Sequence, residues 1–262
     1  MMGRLTRHAV TGAAAIGLVT IAEAGCSHDD STIFIRGLLA PPQSATGGSC
    51  AYSAEPSNTY LFSGVFDIGL LSTYQPVALV GNQMLARQSN EDLRTETSRV
   101  TIQGATVQVS DAVNTPVKSF TSLAAGFADP GASNAPGFGT VAVTLIDPDT
   151  TNSLRSSIPV HGTRRLIVRF KVFGQTLGGQ SLESDEFQFP IDVCNGCLVV
   201  FPADSQDNAL AQAENKPNCK APLTSSGSSG AQSYPPPCVV GQEQLVDCRL
   251  CQGNAVCDPA QR

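Results

Sequence analysis

Strict alternation of apolar and polar residues runs through the middle of this chain, and it predicts strands with one buried face. From Glu186 to Val193 the apolar set is Phe187, Phe189, Ile191 and Val193, with Gln188 and Asp192 on the other side. Pro190 shares that polar side and has no N–H to give, which places the strand at a sheet edge. Arg165 to Phe173 alternates likewise, with Leu166, Val168, Phe170 and Val172 inward and Arg165, Arg169 and Lys171 outward. Tyr60, Phe62, Phe66, Ile68 and Leu70 line one face of a long strand that Gly64 interrupts. Val141, Val143 and Leu145 mark a fourth strand, Ile33 and Ile35 a fifth, and Val77–Val80 and Val117–Leu123 two more. Between Val100 and Val109 the phase changes at Gly104, the signature of a β-bulge.

Turn chemistry separates these runs, as in Asp129-Pro-Gly-Ala-Ser-Asn-Ala-Pro-Gly and Asp147-Pro-Asp, and no long segment keeps a helical period with caps. Many short strands without alternating helices predict an all-β fold over residues 31–201, an antiparallel β-sandwich of which the immunoglobulin-like arrangement is one form. Arg87 to Ser98, rich in Asn, Glu, Arg and Thr, reads as an exposed connecting loop.

Beyond about residue 201 the pattern fails and cysteines take over. Cys194, Cys197, Cys219, Cys238, Cys248, Cys251 and Cys257 crowd the C-terminal part, where few apolar residues follow Phe201. A segment that buries so little is ordered by cross-links, so residues 202–262 are expected to form a disulfide-stapled, loop-rich tail. Thr224 to Ser233 is a Ser/Gly-rich linker, and Pro235-Pro236-Pro237 stiffens the approach to Cys238. Seven cysteines cannot all pair among themselves, so full oxidation within one chain requires Cys50 to reach the tail. Cys194-Asn195-Gly196-Cys197 lies between two apolar runs, and Asn-Gly is the favoured two-residue hairpin turn; the flanking cysteines would then be close enough to bond.

The N-terminus carries an export signal. Arg4 and Arg7 precede about fourteen small or apolar residues from Ala9 to Ala22, a basic start and apolar middle of signal-peptide length and too short for a spanning helix, so residues 1–25 are read as a signal peptide. Two cleavage frames compete. Ala22-Glu23-Ala24 is a small-x-small site for cutting before Gly25, whereas Ala24-Gly25-Cys26 resembles the end of a bacterial lipobox. With that motif and its cysteine density, the chain resembles uncharacterised cysteine-rich bacterial lipoproteins. The resemblance implies lipidation of Cys26 and anchoring at the membrane through residues 26–30, and Ser27 after the cysteine implies the outer membrane or cell surface. Glu23 stands where that family prefers Leu. Parity adds an independent argument: setting Cys26 aside leaves eight of nine cysteines to pair, whereas cleavage before Gly25 leaves an odd thiol in a periplasmic or secreted protein.

Charge and composition narrow the function. A formal net charge of −6 argues against binding phosphate backbones, so no nucleic-acid partner is expected. The chain has no Trp and four Tyr, a thin supply of stacking surfaces for sugars or bases.

Candidate chemistry is equally sparse. Cys194-x-x-Cys197 and Cys248-x-x-Cys251 have zinc-knuckle spacing, but about fifty residues separate them and export favours disulfides. A thioredoxin-type redox site would want the first cysteine at a helix N-terminus inside a βαβ unit. His161 before Gly162 reads as a turn, and no G-x-S-x-G motif accompanies it. Asp147, Asp149 and Asn152 make a partial calcium-ligand set without the glycine and distal glutamate of an EF-hand. No catalytic residue, metal site or cofactor is therefore assigned. The sequence predicts a non-catalytic, lipid-anchored envelope protein with a structural role or a protein partner, against two alternatives: a secreted β protein that binds a small ligand or cation, and an exported hydrolase or redox enzyme.

Overall fold

A computed structural model of the chain describes residues 32–42, 50–86, 96–201, 219 and 236–258. The signal segment, Cys26, most of the Arg87–Ser98 loop and the Thr224–Ser233 linker lie outside the described residues.

The alternating segments form strands that pair into two sheets. β1 (Ile33–Leu39), β2 (Tyr60–Leu61), β4 (Val77–Asn82) and β7 (Gly137–Ala142) make an antiparallel sheet in the order β2-β1-β4-β7. β3 (Gly64–Asp67), β10 (Phe187–Cys194), β8 (Thr163–Thr176), β5 (Val100–Asp111) and β6 (Pro116–Ala128) make the larger one in the order β3-β10-β8-β5-β6, and β9 (Ser181–Glu183) also pairs with β8. The larger sheet is mixed, because β3 runs parallel to β10.

One core fills the space between the sheets. Ile33, Ala78, Val80 and Val141 come from the smaller sheet, and Phe66, Val107, Leu166, Phe170, Phe189 and Ile191 from the larger. The inward residues read from β8 and β10 are those found buried, Phe187 being only partly so. At β6 and β7 the sheets curl together into a half-barrel. A Cβ on Gly139 would lie 1.5 Å from the Phe127 carbonyl oxygen, so glycine is what permits this approach. The register of β5 slips between Ile102 and Gly104 against both neighbours, the bulge that the phase change marks.

Four sequence expectations are corrected. β10 is an interior strand, not an edge; β3 covers only Ile191–Cys194, so Pro190 sits where the strand is still flanked on one side. The long strand from Tyr60 breaks into β2 and β3, which belong to different sheets, and Phe62 in the link is 93% exposed. A Cβ on Gly64 would lie 2.2 Å from the Tyr74 hydroxyl, so the glycine that breaks the strand also admits this buried ring. Asp147-Pro-Asp opens a helix, α1 (Pro148–Arg155): Asp147 accepts from the Thr150 N–H at 3.0 Å and Pro148 stands at the start of the first turn, the sequence chemistry of a helix N-terminus. The segment after Cys194 is not a hairpin, because β11 (Val199–Val200) leaves the sheet to pair in parallel with β12 (Val246–Asp247).

Candidate functional site

The described part of the cysteine-rich tail packs on β3, in one compact unit with the β body. Asp67 at the end of β3 is fully buried, although the alternation assigns it to an outward face. Its Oδ1 accepts from Gly196 N–H at 2.7 Å and Gly69 N–H at 3.0 Å, and its Oδ2 accepts from Leu198 N–H at 3.0 Å. These bonds steer the chain out of the larger sheet after Cys194, with Gly196 at a φ of 88° that favours glycine. They replace the predicted hairpin.

The free edge of β3 is covered by residues 241–243. Asp67 N–H donates to the Gly241 carbonyl at 2.9 Å and Glu243 N–H to the Val65 carbonyl at 3.1 Å. Glu243 brings its carboxylate inside: Oε1 accepts from the Tyr74 hydroxyl and Oε2 from Val65 N–H at 3.3 Å. Burial pushes this carboxyl up to about 7 against the pull of those two donors. Tyr74 is raised well above the ordinary tyrosine range, first by burial and then by Glu243. Gln242 is buried alongside, its Oε1 accepting from Gln75 N–H at 3.0 Å. A small cavity of about 60 Å³ adjoins this cluster, lined by Tyr52, Leu61, Pro76, Val239 and Glu243 among others.

Below the cover lies a second, small core. Val199, Val246, Val256, Cys219, Cys248 and Cys257 pack together with Leu70 and Phe201 against it. Asn254 Nδ2 donates to the Gly69 carbonyl at 2.8 Å, and buried Asp247 pairs with Arg249. Cystine sulfur thus supplies much of what side-chain carbon supplies in the main core.

All eight cysteines among the described residues are bonded: Cys50–Cys238, Cys194–Cys197, Cys219–Cys248 and Cys251–Cys257. Cys50 in the body therefore reaches the tail, across 188 positions of sequence. Cys248 and Cys251 take different partners, so the two C-x-x-C motifs do not act as one unit. Asp67 and the Cys194 and Cys197 sulfurs offer ligand atoms within 4.8 Å of one another, but sulfur held in a disulfide is not a thiolate ligand.

The other sequence candidates go elsewhere. His161 is exposed in the turn before β8 at a φ of 64°, and its N–H donates to the Asn195 carbonyl at 2.8 Å. Asp147 and Asp149 both hold Lys118, whose Nζ lies 2.5 Å and 3.2 Å from their carboxylates, so a cation of the protein itself sits where a calcium ion would. Asn152 Oδ1 accepts from Arg155 at 3.2 Å. Asp67, Glu243 and Tyr74 escaped sequence reading because their burial comes from distant segments; the local signal at Asp67 is confined to its turn with Gly69.

Among the described residues no helix is long and apolar enough to cross a membrane. Four disulfides point to folding in an oxidising, exported location. No protein-family model and no curated protein matches the chain. Among solved structures it is similar to a late embryogenesis abundant (LEA) protein determined in solution, at 13% identity and a TM-score of 0.27, over 51% of this chain and 71% of that one. That likeness is too slight to bear on fold or function.

Proposed function

We propose that this chain is a lipid-anchored envelope protein, held to the membrane through acyl groups on Cys26, whose disulfide-braced β body serves a structural or partner-binding role. The observation that carries the reading is the cysteine balance. Eight of the nine cysteines are consumed in four bonds among themselves, and the ninth is Cys26, directly behind the apolar segment. An exported protein with one cysteine over either modifies it or leaves a reactive thiol. Lipidation uses it.

Intact-mass analysis of the protein isolated from its native envelope, before and after reduction and alkylation, tests the anchor. Acyl mass on an N-terminal Cys26 with no alkylatable thiol before reduction is the expected result. An unmodified chain beginning at Gly25 with one alkylatable thiol refutes it in favour of a secreted protein.

A further inference from the structure

We propose that Cys194–Cys197 is an exchangeable disulfide, opened at Cys197, the exposed residue of the pair, by thiols of a dithiol substrate, and that its three companions are structural staples. The idea goes beyond anchoring and does not depend on Cys26. Two observations carry it.

Access separates this bond from the others. Among the eight bonded cysteines Cys197 alone is exposed, while Cys194 at the end of β10 is fully buried. Thiol–disulfide exchange needs an in-line approach of a thiolate to one sulfur, so attack is directed to Cys197 and Cys194 becomes the leaving group.

The loop is also held without its disulfide. Asp67 takes the N–H groups of Gly196 and Leu198, Asn195 Nδ2 donates to the Ile158 carbonyl at 3.2 Å, and Asn195 and His161 are joined through the backbone. Opening the bond therefore leaves the two sulfurs facing one another, ready to close again. With a sequence separation of 3 this bond restricts the unfolded chain least of the four, against 188, 29 and 6 for the others.

The buried Asp67 carboxylate lies within 4.8 Å of both sulfurs and opposes departure of Cys194 as a thiolate, so that sulfur takes a proton from solvent as the bond breaks. In the first step a substrate thiolate bonds to the Cys197 sulfur as the S–S bond breaks, and Cys194 leaves to become a thiol. In the second, the other substrate thiolate attacks the substrate sulfur of that mixed disulfide and releases Cys197. Two electrons pass from the substrate dithiolate, which becomes a disulfide, to Cys194 and Cys197, and the two cysteines take up from solvent the two protons that the substrate thiols released on ionising. The reverse sequence reduces a substrate disulfide.

Graded reduction of the full oxidised chain with dithiothreitol, trapping with iodoacetamide and peptide mapping tests the proposal. Cys194 and Cys197 should be labelled at reductant concentrations at least about tenfold below those that open Cys50–Cys238, Cys219–Cys248 or Cys251–Cys257, with the far-ultraviolet circular dichroism unchanged. Glutathione disulfide should form a stable mixed disulfide with the Cys194→Ser variant at Cys197 and far more slowly with Cys197→Ser at Cys194. Opening of this bond together with or after the others, loss of the β spectrum when it opens, or equal trapping by the two variants would overturn it.

Discussion

Glu243→Gln isolates the electrostatics of the tail's contact with the body. The carboxyl is raised from its ordinary 4.5 to about 7, chiefly by burial, so the folded state binds a proton more tightly than the unfolded one. Stability then falls as pH rises. The penalty for burying the charge is absent below about 4.5, grows between 4.5 and 7, and is complete above 7; at 1.36 kcal/mol per pH unit it reaches about 3 kcal/mol as an upper figure. Glutamine imitates the protonated acid, since its Nε2 can donate to the Tyr74 oxygen while Oε1 accepts from Val65 N–H. Guanidinium unfolding of the oxidised chain from pH 4.5 to 8.5 should find the two proteins nearly equal at the acid end. The variant should be more stable by up to about 3 kcal/mol at the alkaline end. Taking the difference between them cancels the opposite, acid-side losses from Asp147, whose carboxyl burial pushes up but Lys118 and Thr150 together hold low, and from Asp192, held low by Arg165. Parallel curves for the two proteins across this range would refute the reasoning.

Other substitutions probe the frame around that contact. Removing Cys50 and Cys238 together opens a loop of 188 positions and should cost about 5 kcal/mol by loop-closure entropy, read as a fall in the guanidinium midpoint. Asp147→Ala deletes the helix cap and should lower stability by about 1 kcal/mol, whereas Asp149→Ala, at an exposed carboxylate, should change it by less than about 0.5 kcal/mol; thermal melts distinguish the two. Gly139→Ala places a carbon against the Phe127 carbonyl at the curl of the half-barrel, and a marked loss of soluble protein on expression is the expected outcome.

The fold was legible where period two runs unbroken against a single core. In β8 and β10 each residue's neighbours in sequence settle its face, because a one-residue slip would turn Leu166, Phe170 and Ile191 to solvent. Legibility ended where a few residues carry the decision. The eight residues of α1 are too short to show a helical period, and Asp-Pro-Asp at their start serves a turn as well as a helix cap. Pro190 reports only that a donor is missing, and a strand flanked along part of its length meets that condition as well as an edge does. For the candidate site the limit is sharper. Cysteine parity could say that Cys50 reaches the tail, since counting needs no geometry. Nothing near Asp67 or Glu243 in sequence announces that segments more than a hundred residues away will bury them.

Those two carboxylates explain why so polar a tail must be stapled. β3 has four residues and ends the larger sheet, so its outer edge would present unpaired N–H and C=O groups to other chains, a hazard for any β protein. Residues 241–243 satisfy that edge with two backbone hydrogen bonds and the Glu243 carboxylate, too little apolar surface to hold a strand of this length by packing. The disulfides supply what packing does not. Cys238 ties the approach to Gly241 back to the body through Cys50, and Cys248 ties the exit through Cys219 into the small cystine core beside Leu70. The cover is thus tethered on both sides of its three residues. Cys194–Cys197, which neither spans nor flanks the cover, can then open without baring the edge of β3.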